Sequence, residues 1–96
     1  MQNDWPFTDA PNTYAFTSAA ILAGAPILRV HHDDDGTWQF HDGSDVTMAD
    51  ARVVSLFHAV SRDVSTRELV DLPCGWVATR EDTSKPWVRM LTMSRE

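Results

Sequence analysis

Histidine and aspartate side chains crowd into one short stretch, and they are the residues best able to do chemistry. They are His31, His32, Asp33, Asp34, Asp35, His41 and Asp42. Imidazole and carboxylate groups suit zinc and other transition metals. Neighbours on a strand, such as His31 and His32, point to opposite faces, and the aspartates lack the interleaved spacing of a calcium loop. The spacing therefore favours a solvated turn, and we expect no metal and no other cofactor.

Cys74 is the second candidate for chemistry, because it lies at a predicted helix-to-strand turn whose backbone amides can stabilise a thiolate. A single cysteine in a small domain is more often a packed thiol. The chain also contains no Gly-x-Ser-x-Gly elbow and no cysteine-protease sequence. We therefore predict no catalytic residue. A small metal-dependent or cysteine-dependent enzyme is kept as the alternative.

The charge balance of the chain indicates which classes of partner it can bind. Fourteen acidic residues against eight basic ones give a net charge of −6. The basic residues are scattered, whereas nucleic-acid binders carry a basic patch, so no nucleic acid is expected. An acidic surface favours fast, salt-sensitive association with a basic protein. The predicted partner-binding residues are the aspartates of an electronegative rim and two histidines beside it: Asp33, Asp34, Asp35, Asp42, Asp45, His31 and His41.

The hydropathy pattern predicts no membrane association. No window approaches the roughly twenty apolar residues of a membrane span, and the N-terminus lacks the pattern of a secretory signal. The single cysteine excludes an internal disulfide framework. A cytoplasmic location is the resulting expectation.

The clearest local element is a hairpin. Residues 37–41 alternate, with Trp38 and Phe40 on one face, and an Asp-Gly turn joins them to an apolar strand at 26–32. Further strands are predicted at 14–16, 52–56, 75–80 and 86–91, and helices at 19–23 and 65–71. Residues 57–62 are ambiguous between a continued strand and a short helical turn, and the turn is favoured. Ser18 or Thr17 is expected to cap the first helix, and a Ser65–Glu68 capping box the last.

These elements predict an α+β fold, with a small antiparallel sheet and two short helices packed on one face. Residues 1–12 are predicted to be an irregular N-terminal arm, with Trp5 and Phe7 docked on the body. Residues 13–91 form a single α+β domain, and residues 92–96 are expected to fray.

Five segments also stand in a characteristic order. They are Tyr14-Ala15-Phe16-Thr17-Ser18 with Ile21, Val30 through Phe40, Asp42-Gly43, Val53 through Ser65, and Leu69 through Trp76. Their order resembles a small bacterial family, the domain of unknown function numbered 2185, which includes the immunity-protein-33-like group of proposed immunity proteins of polymorphic toxin systems. The likeness covers roughly residues 14–80, with one residue inserted before Trp38. It implies a compact α+β domain that binds a protein, and it carries over no catalytic residue.

We therefore expect an uncharacterised bacterial protein that acts as a non-enzymatic, acidic protein-binding module, immunity- or inhibitor-like, whose partner is a toxin or another basic protein. A third hypothesis is a self-associating structural subunit. It would form a homodimer through the edge strand near Trp87.

Overall fold

The computed structural model describes residues 5–44 and 47–92, and in these ranges the backbone forms one six-stranded sheet and three short helices. The strands are Tyr14–Ser18 (β1), Arg29–His32 (β2), Trp38–His41 (β3), Ala51–Ser55 (β4), Trp76–Thr79 (β5) and Val88–Leu91 (β6). The helices are Ala19–Leu22 (α1), Leu56–Ser61 (α2) and a 3-10 helix at Val64–Leu69.

The sheet has the strand order β4-β1-β3-β2-β5-β6. The α+β class is confirmed, but the sheet is larger than predicted and mixed rather than antiparallel, because β1 pairs in parallel with β3. Every other neighbouring pair is antiparallel. The parallel pair follows from the connections: α1 and the segment after it reverse the chain before β2, and the hairpin then returns β3 in the direction of β1.

The β2–β3 hairpin is confirmed. Its turn is closed by a hydrogen bond from the Gly36 amide to the Asp33 carbonyl, with 2.9 Å between nitrogen and oxygen. Gly36 has a φ of +92°, a left-handed conformation that glycine adopts without steric cost. The Asp35 carboxylate accepts the Thr37 amide at 3.0 Å, which stiffens the turn further.

Serine and aspartate side chains cap the short helices. Ser18 caps α1, as predicted, by accepting the Ile21 amide, and Ser55 caps α2 in the same way. The predicted Ser65–Glu68 capping box is wrong. Asp63 caps the 3-10 helix instead, and its carboxylate accepts both the amide and the hydroxyl of Ser65. The aspartate lies two residues earlier and uses Ser65 as a donor, so the serine oxygen does not act as the cap.

Apolar side chains from one face of the sheet and from the helices form the core. The strands contribute Ala15, Val30, Trp38, Phe40 and Ala78, and the helices contribute Ile21, Leu56, Ala59, Val60 and Leu69. Phe7 of the N-terminal arm is also buried in this cluster, and Trp5 packs against it, as predicted. The arm is therefore part of the packed body from Trp5 onward.

The other face of the sheet is called the open face below. Residues paired across a ladder share a face, and the face alternates along each strand. The strand registers place these larger side chains, among others, on the open face: Tyr14, Phe16, Arg29, His31, Gln39, His41, Val53, Val77, Val88 and Met90. Tyr14 and Val53 are each 61% exposed, Val88 is 53% exposed and Met90 is 47% exposed. These large apolar groups face outward.

Candidate functional site

A line of hydrogen bonds runs across the middle of the open face. The Gln39 side-chain amide donates to an Asp33 carboxylate oxygen at 2.7 Å. The Gln39 carbonyl oxygen, which can only accept, lies 3.0 Å from His41 Nε2. His41 must therefore carry its proton on Nε2, and Nδ1 is then the acceptor.

His31 lies beside this line, with its ring centroid 6.4 Å from that of His41. Burial lowers the pKa of His31, and Arg29 adds to this effect, while Asp33 opposes it. Burial also lowers the pKa of His41, assisted by His31 and Arg29. Both imidazoles are therefore neutral near pH 7, so two histidines share the face without mutual repulsion.

A pocket of about 250 Å³ opens beside His41. Its lining comes from β1, β3, the turn before β4 and the first residue of β4: Phe16, Thr17, Gln39, His41, Thr47, Met48 and Ala51. His41 is only 9% exposed, and its Nδ1 has no hydrogen-bond partner among the described residues. An acceptor buried in this way is costly unless something donates to it.

The structure separates the predicted aspartate rim into two ends. Asp33, Asp34 and Asp35 form the β2–β3 turn, whereas Asp42 follows β3 at its other end. At about 3.3 Å per residue, the intervening strand holds the two groups roughly 20 Å apart. Asp45 lies outside the described residues. Asp33 contacts Gln39 from the hairpin turn, whereas Asp42 follows His41 at the other end of β3, where its charge opposes the lowering of the pKa of that histidine.

Turn hydrogen bonds keep these aspartates ionised. The Thr37 amide lowers the pKa of Asp35, and hydrogen bonds from Ser44 lower the pKa of Asp42. Both groups lie at the protein surface, so their charges are available to a partner but screened by salt.

Cys74 and His32 meet on the core side of the sheet, 3.7 Å apart between Sγ and Nε2. His32 Nδ1 donates to the Leu72 carbonyl at 2.7 Å, which leaves Nε2 as the lone-pair nitrogen facing the thiol. The ring of His32 also stacks on Trp38 with centroids 3.8 Å apart. Sequence reasoning missed this pair, because the contact depends on β2 pairing with β5, and no local pattern specifies that pairing.

Metal coordination finds no support in the described part of the chain, where no group of three histidine, cysteine, aspartate or glutamate residues could hold an ion. His31 and His32 point to opposite faces, as predicted. His31 pairs with Gln39 on the open face, and His32 pairs with Trp38 on the core face.

A larger cavity of about 580 Å³ lies near the ends of α1 and α2, but its charged side chains are already engaged. Arg62 donates to the carbonyls of Ile21 and Leu22, and Asp63 pairs with Arg80. These contacts fasten the helices to one another. The cavity therefore serves the fold, and the open face is the better candidate site.

Comparison with known proteins gives no match: no family model, no curated protein and no solved structure is similar to this chain. Within the described residues, no helix has the length and apolarity needed to cross a bilayer.

Proposed function

We propose that this chain is a non-enzymatic, acidic protein-binding module of the bacterial cytoplasm, immunity- or inhibitor-like, that binds a basic protein such as a toxin through its open face. The observation that carries the proposal is the exposure of large apolar side chains on one face of the sheet. The resemblance to the immunity-protein group is consistent with this role.

Apolar groups stand on both sides of the open face. Tyr14 and Val53 lie on the paired strands β1 and β4, and Val88 and Met90 both lie on β6, which pairs with β5. Each exposes close to half of its surface or more. Burial of apolar surface stabilises a complex by about 25 cal/mol per Å² before the costs of association. A partner that covers both flanks would therefore gain from hydrophobic burial.

Polar groups between these flanks give the face its specificity. The Asp33–Gln39–His41 line offers fixed hydrogen-bonding groups, and the hairpin turn adds the exposed carboxylates of Asp34 and Asp35. With a net charge of −6, the long-range field attracts a basic partner and speeds its encounter.

Affinity capture with matched variants tests the proposal. Tagged wild-type protein and Val53→Arg are used to capture partners from native lysate, and mass spectrometry identifies what is retained. Val64→Arg is the control, because Val64 is 70% exposed but lies on the 3-10 helix. We expect one stoichiometric partner with wild type and with Val64→Arg. Its recovery should fall at least about tenfold with Val53→Arg, since an unpaired charge at an interface costs several kcal/mol.

Equal recovery with both arginine variants would contradict the assignment of the open face. Loss with Val64→Arg but not with Val53→Arg would move the interface to the helical side. Recovery of a second copy of the chain would instead support the homodimer hypothesis.

A second candidate function rests on the Cys74–His32 contact, which favours cysteine-dependent chemistry. His32 Nε2 can accept the thiol proton while the Leu72 carbonyl holds the ring in place. The thiolate would then attack an electrophile that reaches the exposed Cys74.

Alkylation kinetics test this candidate. Iodoacetamide forms a thioether with Cys74 and releases iodide, while His32 takes up the proton. We expect His32→Gln to slow the reaction at pH 7 about tenfold, and His31→Gln, which changes the adjacent histidine on the other face, to leave it unchanged. A wild-type rate equal to that of His32→Gln would exclude His32 as the base.

A further inference from the structure

The last strand, β6, forms one edge of the sheet, and its pairing with β5 decides which of its backbone groups point outward. The Thr92 amide donates to the Gly75 carbonyl at 2.8 Å, and these two residues lie opposite each other one step beyond the β5–β6 ladder. Bonded and non-bonded pairs alternate along an antiparallel ladder. The even-numbered residues of β6 therefore turn their N–H and C=O groups toward β5, whereas Arg89 and Leu91 turn theirs away from the sheet.

The outward groups of Arg89 and Leu91 form an open edge, because no further strand pairs with β6 in the described part of the chain. All four residues of β6 are exposed. Native sheets usually cover such an edge or place charges along it. The charged side chain of β6 does not cover the edge, because the Arg89 guanidinium donates to the Asp71 carboxylate and the Glu68 carbonyl near the 3-10 helix.

The opposite edge of the sheet, β4, is partly occupied. The Ala19 amide donates to the Asp50 carbonyl at 2.8 Å, one step beyond the β1–β4 ladder, so the odd-numbered residues of β4 turn their backbone groups outward. The Arg52 guanidinium donates to one of these outward carbonyls, that of Ala51, at 2.9 Å. The β6 edge is therefore the one that is better able to accept another strand.

The side chains and the charge of the protein indicate which segment fits the β6 edge. An antiparallel strand opposite β6 places alternate side chains beside Val88 and Met90 on the open face. Both of these residues are apolar and exposed, so apolar side chains are favoured there. The net charge of −6 attracts a segment with positive charge and disfavours a second copy of the chain, which brings the same negative charge.

We infer that the β6 edge binds an extended segment of the basic partner by antiparallel strand addition. Backbone hydrogen bonds form with Arg89 and Leu91, and apolar side chains of the segment lie beside Val88 and Met90. In this mode of recognition the main chain supplies affinity and alternate side chains supply specificity. That the segment belongs to the partner rests on the proposed function, whereas the capacity of the edge to bind a strand does not.

A synthetic peptide tests the edge on the isolated protein. The probe is acetyl-Lys-Val-Thr-Val-Thr-Val-Lys-amide, and NMR of the β6 amides follows its binding. When its valines lie beside Val88 and Met90, its threonines lie opposite Arg89 and Leu91 and their amides face β6.

Backbone methylation of the peptide provides matched controls. N-methylation of both threonines should weaken binding at least about tenfold, since one net hydrogen bond gives about a fivefold factor and two are lost. N-methylation of the first two valines, whose amides point away from β6, should leave binding nearly unchanged.

Proline variants locate the edge on the protein. Leu91→Pro removes an outward amide and no hydrogen bond to β5, so it should weaken binding of the peptide about fivefold. Val53→Pro makes the same change at an outward amide of β4 and should leave binding unchanged. If either variant does not fold, hydrogen exchange of the wild-type protein decides: the peptide should slow exchange at Arg89 and Leu91 and leave Val53 unaffected.

No binding of the unmodified peptide, equal binding of the two methylated peptides, or unchanged exchange at Arg89 and Leu91 would each overturn the inference. So would a dimer of the isolated protein that Leu91→Pro dissociates in sedimentation, because a second copy would then occupy the edge. Peptide binding without a captured partner would uphold the edge and count against the proposed function. A partner lost with Val53→Arg but fully retained by Leu91→Pro would do the reverse.

Discussion

Arg80 joins three parts of the fold through one guanidinium group. It donates twice to the Ile27 carbonyl, once to the Ser65 hydroxyl and once to the Asp63 carboxylate. Its guanidinium carbon also lies 4.1 Å from the ring centroid of Trp87. Arg80 is therefore a buried residue, only 8% exposed, that connects three parts of the chain: the end of β5, the 3-10 helix and the segment before β2.

Removing the Arg80 guanidinium should destabilise the fold. Arg80→Met is expected to lower the free energy of unfolding by about 3 kcal/mol, because a half-buried carboxylate at Asp63 loses its charged partner. Urea unfolding followed by tryptophan fluorescence measures the loss. Arg89→Met is the control: its ion pair with Asp71 is solvent-exposed and should cost far less. Similar losses for the two variants would show that Arg80 is not a central contact.

Histidine protonation should weaken the fold below neutral pH. The pKa values of His31 and His41 are lowered from the ordinary 6.5. The unfolded chain therefore binds more protons as the pH falls below 6.5, and the free energy of unfolding decreases. Burial is the main cause of both lowered pKa values; Arg29 adds to it and Asp33 opposes it at both rings, and Asp42 also opposes it at His41.

Urea unfolding at pH 7.5, 6.5 and 5.5 tests this expectation. The carboxylates with lowered pKa values stay ionised in this range, since their ordinary value is 3.8. His41→Gln should flatten the decrease between pH 6.5 and 5.5, whereas His58→Gln, an exposed change on α2, should preserve it. A wild-type stability independent of pH in this interval would refute the account of the two histidines.

Among the elements, the N-terminal arm contributes to the packing of the core, although its backbone is irregular. Phe7 meets the ring of Trp38 edge-on with centroids 5.2 Å apart, and Trp38 Nε1 donates to the Asp9 carboxylate at 2.9 Å. Trp5 packs in turn on Phe7. The arm therefore covers the Trp38 side of the core.

Truncating Phe7 measures this contribution. Phe7→Ala should lower the free energy of unfolding by about 3 kcal/mol, as expected for a buried phenylalanine. Phe57→Ala is the matched control, because Phe57 is 54% exposed and should cost less than about 1 kcal/mol. Equal losses at the two positions would mean that the arm does not pack as described.

The elements show what local patterns can predict. The hairpin was predictable, since alternation around Trp38 and the Asp-Gly turn are local signals. The parallel β1–β3 pair and the capping of the 3-10 helix by Asp63 were not. Pairing of distant strands and choice between neighbouring caps are decided by tertiary packing. For the same reason, the Cys74–His32 contact was not predictable from local patterns, because it depends on the pairing of β2 with β5.

At the scale of the whole molecule, the excess of acidic residues would attract the basic partner that we propose. The aspartates of the candidate site were predictable as a set, but the structure places Asp33, Asp34 and Asp35 at one end of β3 and Asp42 at the other. The distance between these two groups of aspartates depends on the length of β3, and composition alone does not show it. The β2–β3 hairpin turn carries three of these aspartates, so we expect the electrostatic attraction of a basic partner to act mainly there.

Charge reversal in the hairpin turn tests whether its aspartates speed association with the partner. The double variant Asp34→Lys with Asp35→Lys should slow association with the captured partner about tenfold at low salt and reduce the salt dependence of the rate. Asp33 is left in place because it accepts a hydrogen bond from Gln39. Glu81→Lys with Asp82→Lys makes the same charge change in the exposed β5–β6 loop and should have a smaller effect. Equal rates for both double variants would show that only net charge matters.

Methyl NMR of the labelled protein with its captured partner tests the central claim most directly. Binding through the open face predicts shifted or broadened methyl resonances at Val53, Val77, Val88 and Met90. The methyls of Val64 and Val70, both exposed on the helical side, should stay unchanged. Perturbation of the helical-side methyls, with the open-face methyls unmoved, would contradict the account.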